Sequence, residues 1–71
     1  MMSWTPVSSS NVAEVGFDSE TGSMGMKFLN GSEYEYDDVP AAIYEAVKDA
    51  SSVGSTFAQL VKNNYSYRKV A

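Results

Sequence analysis

The chain has 71 residues, nine of them acidic and five basic, for a net charge of −4, and it contains neither cysteine nor histidine. A chain this short makes one domain that buries only about 60% of the surface its unfolded form exposes. Disulfides, thiolate nucleophiles, Cys-type zinc sites and histidine bases or ligands are all excluded, and the acidic balance works against non-specific adhesion to nucleic acid or anionic lipid.

The first ten residues, MMSWTPVSSS, hold no basic segment and no apolar run, and no stretch approaches the roughly 18 apolar residues of a membrane span. The expectation is a soluble protein of the cytoplasm, or of a host's cytoplasm if the chain is phage-encoded. Residues 1–11 read as an extended N-terminal arm or an edge strand, since proline is confined to such positions. Trp4 is too large an apolar group to leave on a loose tail, so it is expected to dock on the domain or on a neighbouring copy.

Residues 12–18, VAEVGFD, alternate with period two: Ala13, Val15 and Phe17 share one face, and Val12, Glu14, Gly16 and Asp18 the other. DSETG supplies a hairpin turn ending in a glycine suited to positive φ, and SMGMKFL alternates again through Met24, Met26 and Phe28. Asn30-Gly31 predicts a type I′ turn into a third antiparallel strand, SEYEYD, with Tyr34 and Tyr36 on one face and Glu33, Glu35 and Asp37 on the other. Such a meander has one apolar face that needs a cover.

Two helices are available for it. Pro40 suits a first helical position, Asp37 and Asp38 complement the positive end of the dipole, and Ile43, Ala46, Val47 and Ala50 recur at helical spacing. DASSVGS interrupts, and a second helix starts at Ser52 or one turn later at Thr56, burying Phe57, Leu60 and Val61. Asn63-Asn64 stops it, because asparagine tolerates the left-handed conformation. YSYRKV then alternates once more, as a fourth strand at the sheet edge or beside the first. The expected fold is α+β: an antiparallel β-meander of three to four strands packed against two helices, in the order β-β-β-α-α-β.

Ser8-Ser9, VGFD, Phe28 with Gly31, the central YEY, Val39-Pro40, Tyr44, Ala50, Gly54, Phe57 and the ending formed by Val61, Lys62, Tyr65 and Tyr67 together resemble the KTSC domain. This is a small bacterial and phage module that also occurs fused at the C-terminus of some lysyl-tRNA synthetase-related proteins. Phe17 and Thr56 depart from the pattern, where aromatic residues with a hydroxyl or a second ring are common. The resemblance covers nearly the whole chain, makes residues 12–71 a single KTSC-like domain, and implies an RNA-binding role by association with the synthetase.

Two Y-x-Y pairs stand out. After residue 50 the only charged side chains are Lys62, Arg68 and Lys69, so Tyr65 and Tyr67 sit among cations, and aromatic rings flanked by basic groups hold the bases of single strands. Lys62, Tyr65, Tyr67, Arg68 and Lys69 are therefore the candidate binding residues for RNA, single-stranded nucleic acid or a nucleotide. Tyr34 and Tyr36, surrounded by carboxylates, are expected with Tyr44 and Phe57 to form a structural aromatic surface. If the last strand joins the sheet, all four paired tyrosines line one surface, open to a planar ligand or a partner chain. The alternative is a protein-interaction or self-associating accessory module, motivated by small size, the absence of staples and four methionines.

Other chemistry finds no support. Neighbouring acids on a strand face opposite ways, no calcium-loop spacing is present, TGSMG lacks the lysine of a phosphate loop, and no serine has an activating base. Asn30-Gly31-Ser32 and Asn64-Tyr65-Ser66 fit the glycosylation sequon but read as turns and caps. No catalytic residue, metal or cofactor is expected, and the chain reads as a non-enzymatic binding module.

Overall fold

The computed structural model describes all 71 residues. Strands β1 (Ser3–Pro6), β2 (Val12–Asp18), β3 (Ser23–Phe28) and β4 (Glu33–Tyr36) are followed by helices α1 (Ala41–Lys48) and α2 (Val53–Leu60) and by strand β5 (Tyr67–Lys69). The strands make one antiparallel sheet in the order β1-β2-β3-β4-β5, so every strand lies beside its neighbours in chain order, and β5 returns after the helices to pair with β4. The fold is α+β, with one strand more than the three to four expected, because residues 3–6 pair with β2.

Both hairpins rest on turn residues. Asp18 Oδ1 accepts the Glu20 N–H at 2.9 Å and Gly22 takes φ 78°. At the second turn only Gly31 is left-handed, φ 93°, so the expected type I′ turn does not form. Instead Leu29, Asn30 and Gly31 make a three-residue loop closed by Phe28 N–H to Ser32 O at 2.9 Å, and such loops need positive φ only at their last position.

The strict alternation of β2 also fails at one place. The register against β3 runs Val15↔Met26 and Glu14↔Lys27 and then slips, pairing Val12 with Phe28. The extra residue is a β-bulge at Ala13, and it turns Val12, expected on the polar face, into the core, where it is 1% exposed.

Pro40 caps α1, its carbonyl accepting from Ile43 and Tyr44. The first turn of α1 holds no acid: Asp37 is drawn to Arg68, and Asp38 takes φ 55°. The buried face is Tyr44 and Val47, with Ile43 at its margin, while Ala46 is exposed. The face turns this way because the Tyr44 ring stacks on Phe17, centroids 5.0 Å apart, which buries more area than an alanine. Helix α2 starts after Ser52, the earlier of the two expected positions, and buries Val53 and Phe57, with Val61 at its C-cap. Asn63 is left-handed at φ 70°, and Asn64 Nδ2 donates to the Gln59 and Leu60 carbonyls, satisfying the helix end.

Both helices lie on one face of the sheet. Val12, Val15, Met24, Met26, Val47 and Val61 are the most deeply buried side chains between the two layers, and no charged residue is buried.

Candidate functional site

Register determines which side chains share a face. The row Trp4↔Gly16↔Gly25↔Glu35↔Arg68 crosses the whole sheet on the outer side, away from the helices. Next to it on the same side, Pro6, Glu14, Lys27 and Glu33 form a second row. The Trp4 indole lies in the channel left by the two glycines: a Cβ on Gly16 would come within 2.8 Å of Trp4 Cε3, and one on Gly25 would overlap Cη2. Lys27 Nζ sits 4.2 Å from the Trp4 ring, a cation–π contact. Trp4 therefore docks on its own domain.

Arg68 belongs to this outer side. Its guanidinium binds Glu35 at 2.5 Å and Asp37 at 3.1 Å, so it is neutralised by two carboxylates and separated from the other candidate binding residues by the thickness of the sheet. Consecutive strand residues point to opposite faces, and the run Tyr67-Arg68-Lys69 is divided accordingly.

On the helix side the rows are Ser3↔Phe17↔Met24↔Tyr36↔Tyr67 and Thr5↔Val15↔Met26↔Tyr34↔Lys69. The helices cover β2 to β4 but leave this side of β5 open, and Tyr67 remains 59% exposed. The result is a groove of about 380 Å³ between the β3–β5 end of the sheet and α2, walled by Phe28, Tyr34, Tyr36, Phe57 and Tyr67. The rings hold one another in place. Tyr67 lies 5.5 Å from Tyr36 and 6.0 Å from Tyr34, Phe57 meets Tyr36 edge-on at 5.4 Å, and Phe28 meets both Tyr34 and Phe57 at 6.0 Å. Burial holds the Tyr36 phenol above the ordinary tyrosine range, reinforced by its neighbours Tyr67 and Tyr34.

The groove's polar rim comes from three loops: Asn11 before β2, Asn30 and Ser32 in the β3–β4 turn, and Lys62 and Asn63 after α2. No carboxylate lines it. The acids that surround Tyr34 and Tyr36 in sequence, Glu33 and Glu35, lie on the opposite face of the sheet beside Lys27 and Arg68. Lys62 and Lys69 form no ion pair, in contrast to Lys48, which binds Glu45 and Asp49.

Of the candidate binding residues, Lys62 and Tyr67 thus line the groove and Lys69 stands beside it, paired in register with Tyr34. Tyr65 is half-buried against the core, and Arg68 is elsewhere. Of the residues expected to be structural, Tyr34, Tyr36 and Phe57 form the groove wall, while Tyr44 lies apart on Phe17. Phe28 reads in the sequence only as a strand and family-pattern residue, and the rim amides Asn11, Asn30 and Asn63 only as loop, turn and helix-stop residues, because a groove between a hairpin loop and a helix end has no linear signature.

Residues 8–65 match the sequence profile of the KTSC domain, a span that ends just before β5. A lysine–tRNA ligase of Trichormus variabilis is 32% identical over 60 residues, which is 84% of this chain but only 11% of the ligase, so the chain spans about a tenth of that relative. An uncharacterized protein of Stutzerimonas stutzeri is also 32% identical, over 87% of this chain and 89% of its own length. Among solved structures, a KTSC domain protein from Yersinia pestis superposes over the full length of both chains with a TM-score of 0.92 at 29% identity. With profile, full-length relative and fold in agreement, this chain belongs to the KTSC domain family.

Proposed function

We propose that the protein is a non-enzymatic module that binds single-stranded RNA through the aromatic groove. The observation that carries this reading is the segregation of the rings and unpaired lysines from the acids: Tyr34, Tyr36 and Tyr67 face a groove without carboxylates, with Lys62 on its rim and Lys69 alongside. A π-face exposed at Tyr67 accepts an unstacked base, and the lysines take the flanking phosphates without repulsion, even though the net charge is −4. RNA is favoured over other single strands by the relative named as a lysine–tRNA ligase, which carries a segment similar to this whole domain. A groove lined by amides, hydroxyls, rings and one lysine offers no acid–base pair poised near neutral pH, which favours binding over catalysis.

Fluorescence anisotropy with a labelled single-stranded RNA of about eight nucleotides tests it. Replacing Tyr67 with alanine is expected to weaken binding by about 1–3 kcal/mol. Lys62→Glu/Lys69→Glu is expected to weaken it and flatten the dependence of log K on log salt by about 1.4, the contribution of two phosphate contacts on a single strand. RNA binding that ignores both variants sinks the proposal.

A further inference from the structure

The groove's fixed polar groups are unequal in what they offer a base. Asn30 Oδ1 accepts the Ser32 N–H at 3.0 Å, an Asx turn that commits the amide oxygen and leaves Nδ2 without a partner. Asn11 is held in the same sense. Its Oδ1 accepts the Ser9 hydroxyl at 3.2 Å, and the Ser9 oxygen itself accepts the N–H groups of Asn11 and Val12, at 3.3 and 3.2 Å, so that the hydroxyl proton goes to Asn11. Gly54, at the start of α2, makes room for this: a Cβ there would meet Asn11 Oδ1 at 2.6 Å. Both amides thus have their oxygen engaged in one hydrogen bond and their two donors free, and Lys62, the cation on the same rim, has donors alone. The remaining polar groups, Ser32 Oγ, the Asn63 amide and the tyrosine hydroxyls, make no side-chain hydrogen bond and turn to suit either partner.

Resting on the reading of the groove as a base-binding site, we propose that it favours uracil over cytosine, taking the keto O4 in preference to the amino N4. The O4 of uracil accepts from Asn11 Nδ2, Asn30 Nδ2 or Lys62 Nζ. The N4 amino group of cytosine sets donor against donor at the same place.

The experiment compares labelled oligouridylate and oligocytidylate of equal length, about eight nucleotides, in anisotropy titrations at one salt concentration. The two share phosphate charge and ring size, so the ratio of their dissociation constants reads the base edge. The wild-type protein is expected to hold oligouridylate about tenfold more tightly, the worth of one well-placed pair of hydrogen bonds. Asn30→Asp and Asn11→Asp keep the committed acceptor oxygen and exchange the free amide nitrogen for a second acceptor. Each weakens binding to both strands by charge, but the ratio should fall toward one or invert. Gly54→Ala, which displaces the Asn11 amide without altering charge, should lower the ratio as well. If both strands bind equally, or the ratio is unmoved in all three variants while Tyr67→Ala still weakens both strands, selection by the rim amides is wrong and the groove remains a base-binding site. If neither strand binds, or Tyr67→Ala changes nothing, both the selection and the groove reading fall.

Discussion

Trp4 and the two glycines beneath it show how one residue's size is built into its neighbours. Gly16 and Gly25 are poor strand residues by themselves, since glycine loses the most freedom on ordering, but paired across β2 and β3 they leave a channel that only a missing Cβ provides. Gly25→Ala is expected to cost about 1–3 kcal/mol in urea unfolding and to shift tryptophan emission to the red as the indole is pushed into water. In a Trp4→Ala background the same change should cost much less, and an equal cost in both backgrounds would contradict this account of Gly25. Tyr36 is the other residue with a measurable consequence. Its phenol is held above its ordinary value of 10.0 by burial first and by Tyr67 and Tyr34 second. The folded protein therefore binds that proton more tightly than the unfolded chain does. The corresponding stability is complete below the unfolded value and is lost as pH rises through the folded one. Urea midpoints should fall above about pH 10, and Tyr36→Phe should flatten that fall. A single absorbance step at the free-tyrosine value for all five tyrosines would show that Tyr36 is not held protonated.

At the scale of elements, β5 carries the site with little of its own to hold it. It is three residues long, all exposed, and its only strand neighbour is β4. Three things fasten it: backbone bonds from Asp37 to Ser66 and between Glu33 and Val70, the Tyr67 ring against Tyr36, and the Arg68 fork on Glu35 and Asp37. Arg68 is thus a clasp on the far side of the sheet. Arg68→Gln is expected to cost under about 1 kcal/mol, as exposed ion pairs do, to speed amide exchange in β5, and to leave RNA affinity within about twofold, as a group that meets no phosphate would. A loss of affinity as large as that of the Lys62 and Lys69 reversals would place Arg68 in the binding surface instead.

For the molecule as a whole, the sheet acts as a partition. Glu14, Glu33 and Glu35 occupy its outer face and Glu45 and Asp49 the first helix, while the open side of β4 and β5 bears rings, amides and lysines. Because exposed charges farther apart than about 8–10 Å are largely screened at physiological salt, the net charge of −4 does not by itself set the field over the open side of β4 and β5. The small core is built without a buried charge, and no helix is long and apolar enough to cross a membrane.

Local patterns of residues specify the fold class, the hairpins at Asp18–Gly22 and Asn30-Gly31, the proline-led first helix and the asparagine stop of the second. Each of these is written in neighbouring residues, as period-two alternation, glycine in turns or a cap. Where one residue out of step altered the geometry, the alternation misled: the Ala13 bulge brings Val12 into the core, and the Tyr44–Phe17 stack rotates the buried face of α1. The candidate site was legible only in part. Lys62, Tyr67 and Lys69 were read from composition, but composition grouped Arg68 with them and set Tyr34 and Tyr36 apart because of the acids beside them. Adjacent strand residues share a stretch of sequence and not a face, so only the pairing of β5 with β4 decided which tyrosines meet, which cations stay free, and on which side of the sheet the carboxylates lie.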